Sequence, residues 1–216
     1  MRDTLGPVYL ITDGSAPANG DTVASVEKAL QGGVRSVQLR EKGLDAKGLL
    51  KLAKALRALT HGYGARLIIN DRADVALLSG ADGVHLGQNS IAPVDARKIL
   101  GDKMLIGVST HSLKEAVRAR EGGADFIAVG PVYHTPSKAP YGEPIGPDII
   151  REVKAVVDIP VYAIGGIDKD NLKETVLNGA DGVAVISAIL KSEDIEKSAK
   201  EMIAAFRLAR GGPSGF

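Results

Sequence analysis

A single closed (β/α)8 TIM barrel is the α/β fold class this sequence predicts, and three observations predict it. Four phrases of one pattern, "ALQGGVRSVQLR" (29–40), "LLSGADGVHLG" (77–87), "REGGADFIAVG" (120–130) and "VLNGADGVAVIS" (176–187), each join a helical ending, a glycine and a short β-branched run. Glycine closes a helix in a left-handed turn, and a short unbroken apolar run reads as a parallel strand buried on both faces, so each phrase is a helix-to-strand joint. Four further runs, "VYLIT" (8–12), "RLIIN" (66–70), "MLIGV" (104–108) and "PVYAIG" (160–165), bring the strands to eight. Helical patterns fill every gap, and strict alternation over 216 residues suits a closed parallel barrel. The alternative, an open doubly wound sheet, would normally carry a nucleotide fingerprint after its first strand, whereas "LITDGSAPANGD" holds neither G-x-G-x-x-G nor a P-loop.

The elements follow in order. Strand 8–12 leads to a helix over 21–31, which Asp21 caps ahead of "TVASVEKAL". The strand of the first joint leads to a helix over 45–60, strand 66–70 to a helix over 72–79, and the second joint to a helix over 93–100. Strand 104–108 precedes a helix over 112–121 capped by Ser112, and the third joint precedes one over 147–156. Strand 160–165 leads to a helix over 168–178 capped by Asp168, and the last joint to a helix over 193–209. No linker splits the chain, so one barrel domain is expected over 1–209, with "RGGPSGF" (210–216) as a mobile tail.

Composition excludes several classes. Hydrophobic residues at 44% and charged residues at 25% are ordinary for a soluble domain and exclude disorder and fibrous repeats. With 27 basic against 26 acidic residues there is no global attraction to nucleic acid or anionic membrane, so any anion site must be local. The absence of cysteine excludes disulfides, thiolate zinc sites and a cysteine nucleophile, and is compatible with a reducing compartment. "MRDTLGPVYLITDG" has too short an apolar run for a signal peptide, and no stretch approaches the roughly 18 to 20 apolar residues that span a bilayer. These readings predict a cytoplasmic protein.

In a parallel barrel the loops after the strand C-termini converge on one mouth, and the chemistry belongs there. "VQLREK" puts Gln38 and Arg40 on one strand face, two apart, inside an otherwise buried element. A buried arginine needs an anionic partner, from the protein or from a ligand. Lys42 and Lys138 add positive charge, and Asp71 supplies a carboxylate able to hold a hard cation with the help of waters. "GPVYHTPSKAPYG" (130–142) packs Thr135, Ser137 and Lys138 between prolines and glycines; a solvated turn explains the Gly and Pro, but not the hydroxyls and ammonium after a strand at the mouth. Three cations, a carboxylate and many hydroxyl and amide donors suit a polyphosphate carried with Mg²⁺. A second anion signal is independent: "AIGGI" and "VISAI" place the amides of Gly165, Gly166 and Ser187 after strands 7 and 8, where barrels often bind a phosphate monoester. Two anion sites across one mouth suggest two phosphorylated small-molecule substrates, or one with a phosphate at each end. His85 and His111 lack metal-ligand spacing and are expected to line the site or serve structure, and His134 is expected at the surface.

The series "YLITD", "QLREK", "INDRADVAL", "GVHLGQ", "VGPVYHTPSK", "AIGGI" and "VAVISAI", in this order and spacing along nearly the whole chain, resembles the thiamine phosphate synthase (thiamine phosphate pyrophosphorylase) family. The resemblance implies a transferase barrel that joins hydroxymethylpyrimidine diphosphate to hydroxyethylthiazole phosphate with Mg²⁺, giving thiamine phosphate and pyrophosphate. It further implies that Gln38, Arg40 and Lys42 hold the diphosphate and pyrimidine, Asn70 the diphosphate and Asp71 the metal, and that Ser109 faces the pyrimidine. Thr135, Ser137 and Lys138 match the family's T-x-T-K loop, with serine as the second hydroxyl, and Gly166, Ile186 and Ser187 fall at its phosphate sites. Arg40, Lys42 and Lys138 are the candidate catalytic residues, acting on the charge of the leaving group.

Two departures stand out. The family usually places an acid, its second metal ligand, two positions after "GVHLGQ"; Asn89 and Ser90 occupy that stretch, which leaves Ser90 as a weak second metal position. Tyr141 and Glu143, in the extended "KAPYGEPIG", have no assigned role. The related thiazole tautomerase tends to lose the Asn-Asp pair after strand 3 and carries a histidine after the glycine ending strand 6; this chain keeps Asn70-Asp71 and has Pro131 there. A non-catalytic thiazole- or thiamine-phosphate-binding regulator would have no need of the Arg40, Lys42 and Lys138 cluster. Nothing in the sequence sets an oligomeric state.

Overall fold

Period-two alternation along eight short strands sorts the apolar residues into two cores, one inside the barrel and one beneath the helices. The computed structural model describes residues 5–14, 20–135 and 143–211. Within them the strands β1 (Val8–Ile11), β2 (Ser36–Leu39), β3 (Arg66–Asn70), β4 (Gly83–Leu86), β5 (Leu105–Thr110), β6 (Phe126–Val129), β7 (Val161–Ile164) and β8 (Gly182–Val185) pair in chain order into a closed barrel. All pairs are parallel, and β8 returns to β1 with Tyr9 opposite Ala184, so no sheet edge is left.

The helices are α1 (Thr22–Gln31), α2 (Ala46–Gly62), α3 (Ala73–Ser79), α4 (Pro93–Leu100), α5 (Leu113–Glu121), α6 (Asp148–Lys154), α7 (Leu172–Leu177), α8 (Ser187–Leu190) and α9 (Ile195–Ala209). Outward strand residues such as Leu10, Val37, Leu67 and Val183 pack against Leu30, Leu56, Ile150 and Phe206 of the helices. Inward residues Tyr9, Ile11, Ile68, Phe126, Tyr162 and Ala184 form the second core. Small positions make room for these rings. A Cβ at Gly107 would overlap the Phe126 ring and sit 2.8 Å from His85 Nδ1, and one at Gly182 would overlap Tyr162.

The end of the barrel opposite the mouth is tied by a device that recurs in three of the four joints. Asp82 Oδ2 accepts from the Leu67 amide (2.7 Å) and from Arg57 (2.9 Å); Asp125 Oδ2 accepts from the Ile106 amide (2.8 Å) and Arg97 (2.5 Å); Asp181 Oδ2 accepts from the Val161 amide (2.9 Å) and Lys154 (2.8 Å). Each carboxylate satisfies the start of the preceding strand and pairs with a cation from the helix that leads into that strand. In the remaining joint Arg35 stands at this position and donates to the Leu30 and Val34 carbonyls.

Caps form at Asp21, which accepts from the Ala24 amide (3.1 Å), and at Ser112, which accepts from the Glu115 amide (3.3 Å). Asp168 corrects the sequence reading. Its carboxylate accepts from the Asp170 and Asn171 amides, closing a turn, and α7 starts only at Leu172. The last helix is also two: α8 takes one turn directly after β8, and Asp194 caps α9. β5 runs to Thr110, so Ser109 lies on the strand and not beyond it. α9 ends at Ala209; of the expected tail, 212–216 lie outside the described residues. No described helix is long and apolar enough to cross a membrane.

Candidate active site

The ladder between β1 and β2 continues past both strands and turns the "REK" segment over the mouth. Thr12 donates its amide to the Gln38 carbonyl (2.9 Å), and its hydroxyl accepts from the Arg40 amide (3.0 Å). Gln38 is 2% exposed, inside the barrel, and its Nε2 donates to Tyr9 Oη (2.9 Å). Arg40 rises out of it and meets Asp13 at 3.6 Å, so the anionic partner in this structure is supplied by the protein. Lys42 is exposed on the turn after β2. Glu41, between the two cations, packs so closely under Gly14 that a Cβ there would strike its carboxylate. Burial raises the Glu41 pKa, the Thr12 hydroxyl and Gly14 amide oppose that, and its Oε1 has no hydrogen-bond partner.

Asp71 is held from three sides. It has φ 61°, the one positive φ of a non-glycine among the described residues, in a region Asp and Asn tolerate best. Asn70 Nδ2 donates to Asp71 Oδ2 (2.7 Å), the Gly87 amide donates to Oδ1 (3.2 Å), and the Ser90 hydroxyl donates to Oδ1. Ser90 Oγ also accepts from the Gly87 amide (2.7 Å). The residue in the place of the family's second acid thus lies against the first. Arg72 turns to Asp74 (2.6 Å) and is no part of this group.

Below the mouth, His85 on β4 is 3% exposed, with Nε2 2.9 Å from Ser109 Oγ and Nδ1 3.5 Å from Tyr9 Oη. Burial pushes its imidazole down from 6.5 to about 4, so it is neutral at physiological pH. Beside Ser109, Gln88 Nε2 reaches the Ser109 carbonyl (3.3 Å) and Glu115 Oε2 (2.9 Å), and the His111 amide donates to the same oxygen (2.7 Å). Burial raises the Glu115 pKa, but these donors outweigh it and hold it below the ordinary value.

Across the mouth, the segment after β6 runs alongside the end of β7: the Val132 amide donates to the Ile164 carbonyl (2.9 Å) and the Tyr133 amide to that of Gly165 (3.0 Å). Gly165 and Gly166 have φ 99° and 66°, and a Cβ on Gly166 would strike the His134 carbonyl. Asn171 fixes the Gly166 carbonyl at 2.8 Å. Thr135 is half-buried and His134 exposed; Ser137, Lys138 and Tyr141 lie outside the described residues. Ile186 is the last residue before α8, and Ser187, which opens that helix, is exposed beside the ends of β7 and β8.

The strand ends therefore bring Gln38, Arg40, Asn70, Asp71, Ser90, Ser109, Gly166 and Ser187 around one opening. Tyr9 and the Asp13 contact of Arg40 were not anticipated. The signal for Tyr9 was parity, since it shares the inward face of "VYLIT" with Ile11. Fold and site together define an α/β-barrel protein with a polar mouth that carries the Asp71 carboxylate on one side and the positive-φ residues Gly165 and Gly166 on the other. Residues 8–189 match the family model described as "Thiamine monophosphate synthase". The chain is 52% identical over 197 residues to a putative thiamine-phosphate synthase of Geobacter sulfurreducens, covering 91% of this chain and 92% of that one. It is 44% identical over 196 residues to the thiamine-phosphate synthase of Clostridium novyi, covering 90% and 96%. The solved thiamine phosphate pyrophosphorylase from Pyrococcus furiosus superposes with a TM-score of 0.87 at 38% identity, covering 94% and 96% of the two chains. The chain belongs to the thiamine monophosphate synthase family.

Proposed function

We propose that this protein is a thiamine-phosphate synthase, an alkyl-group transferase that condenses hydroxymethylpyrimidine diphosphate with hydroxyethylthiazole phosphate and releases pyrophosphate. Family membership supports the activity, and the observation that carries its assignment to this mouth is Asp71, held by Asn70, the Gly87 amide and Ser90 within the same ring of strand ends as Arg40. Gln38 and Ser109 orient the pyrimidine. Arg40, Lys42, Asn70 and the Thr135, Ser137 and Lys138 loop take the diphosphate, and Gly166, Ile186 and Ser187 take the thiazole phosphate. The C–O bond to pyrophosphate breaks with its electron pair leaving on oxygen, and the thiazole nitrogen lone pair then closes on the pyrimidine methylene. Cationic side chains at the leaving group lower this barrier, and two bound partners are held in line. No side chain must act as nucleophile or strong base.

The side-chain oxygens brought together here are the Asp71 carboxylate and the Ser90 hydroxyl, a single charged ligand that fits Mg²⁺ completed by waters and diphosphate oxygens and not an all-protein cage. When bound there, Mg²⁺ supplies charge neutralisation for the departing pyrophosphate. We place the enzyme in the cytoplasm, with phosphorylated small molecules as its partners. The test is incubation with both substrates and Mg²⁺: thiamine phosphate and pyrophosphate should appear in equal amounts. A protein that makes neither, or that only isomerises the non-aromatic thiazole phosphate, refutes the proposal.

A further inference from the structure

We propose that His85 is a positioning residue: through a hydrogen-bond wire running Gln38–Tyr9–His85–Ser109 across the barrel interior, it holds the Ser109 hydroxyl as a donor toward the mouth. The inference rests on the functional reading for what Ser109 contacts, and on geometry alone for the wire. His85 stands among the Tyr9 and Phe126 rings, at centroid distances of 5.9 and 5.7 Å. An imidazole in such surroundings needs a partner for each nitrogen, and it has two: Tyr9 Oη and Ser109 Oγ. Gly107 leaves the space it occupies, because any Cβ there would press on Nδ1.

The direction of the wire follows from one end. Gln38 Nε2 donates to Tyr9 Oη at 2.9 Å. Burial raises the Tyr9 pKa, so the phenol keeps its proton and turns it to the other polar atom near it, His85 Nδ1. A neutral imidazole that accepts at Nδ1 carries its hydrogen on Nε2 and donates to Ser109 Oγ. That bond occupies an acceptor site of the serine and leaves its own hydrogen free. Ser109 lies on β5 two residues from Gly107 and so shares its inward face, one step nearer the mouth. The consequence is a matched pair of ends. Gln38 turns its amide nitrogen inward to Tyr9, which leaves its carbonyl as the acceptor for the ligand, while Ser109 offers a donor. A ring bearing an amino group and an unprotonated ring nitrogen meets both. Reversing the wire would make both ends wrong together.

The test uses five proteins: parent, Ser109→Ala, His85→Leu, His85→Gln and the His85→Leu/Ser109→Ala double variant, each checked by circular dichroism and thermal melting. In His85→Leu, kcat for thiamine phosphate formation should fall by about tenfold or more, with KM for the pyrimidine diphosphate changing less than about threefold, as expected for a group that aligns the reacting ligand. In the Ser109→Ala background the same substitution should cost less than about twofold. His85→Gln, whose amide can donate to Ser109, should recover most of the loss. Multiplicative losses in the double variant, or an unimpaired His85→Leu, overturn the proposal. The nitrogen-15 spectrum of histidine-labelled parent enzyme reads the tautomer without any assay: His85 should carry its hydrogen on Nε2, and an Nδ1–H signal overturns the wire whatever the activity. A parent that makes no thiamine phosphate overturns the functional reading instead.

Discussion

Asp125→Ala cuts the most buried of the three carboxylate clamps at the end of the barrel away from the mouth, and its cost can be worked from the contacts. The Asp125 side chain is 6% exposed and pairs at 2.5 Å with Arg97, whose side chain is 22% exposed. Removing one partner of a buried pair costs about 3–5 kcal/mol. Arg97 retains fallback acceptors in the Gly101 (2.8 Å) and Met104 (2.6 Å) carbonyls, which places the loss at the low end. The buried Ile106 amide loses its carboxylate acceptor as well, a debt of about 1–3 kcal/mol already contained in that range when both contacts go together. We expect about 3 kcal/mol, or a fall in Tm of about 6–12 °C for a domain of this size. Urea unfolding at pH 7 measures it, with Asp125→Asn, which keeps an acceptor for the amide, expected to lose about half as much. Asp158→Ala is the control, because that carboxylate is 71% exposed beside Arg120 and solvent screens such a pair. Equal losses in Asp125→Ala and Asp158→Ala would refute the reasoning. Activity below the melting range should be kept, since the clamp stands away from the mouth.

Three further outcomes are expected. Because the His85 pKa is depressed from 6.5 to about 4 by burial, its contribution to stability is present above pH 6.5 and is lost as pH falls through 4; urea titrations should show about 3 kcal/mol lost from this group between pH 7 and 4, a slope that His85→Gln flattens and that an unchanged slope would contradict. Asp71→Asn should abolish thiamine phosphate formation at millimolar Mg²⁺ with poor rescue by excess, whereas Ser90→Asp, placing a second carboxylate beside Asp71, should lower the Mg²⁺ needed for half-maximal activity without raising the saturated rate; a Mg²⁺ titration of the three proteins decides it. Lys138→Ala should lower kcat by about a hundredfold or more, equivalent to roughly 3 kcal/mol of leaving-group stabilisation, with stability unchanged, and near-normal turnover would return that loop to a solvated turn.

Local chemistry by itself determined the element order of this protein. Glycine at the end of a helical pattern followed by β-branched residues marks a joint wherever it occurs, and at Gly80, with φ 67°, the chain takes the left-handed turn the pattern requires. Four such joints, four further apolar runs and a helical pattern in every gap made the barrel legible, and with it the mouth, because a parallel barrel gathers every strand C-terminus at one end. Asn70, Asp71 and Arg40 could be named as candidate site residues for that reason. Tertiary structure alone decided who their partners are. Asp13 takes Arg40, Ser90 takes Asp71 across 19 residues of sequence, and His85 joins Tyr9, 76 residues away, to Ser109. The helix expected from Asp168 failed similarly, since the carboxylate found nearer amides in a turn and the helix waited for Leu172. Propensity and period act over a few residues, whereas the partner of a buried polar group is whatever the closed barrel brings within about 3 Å of it, and that depends on register and on which positions are small enough to admit a ring.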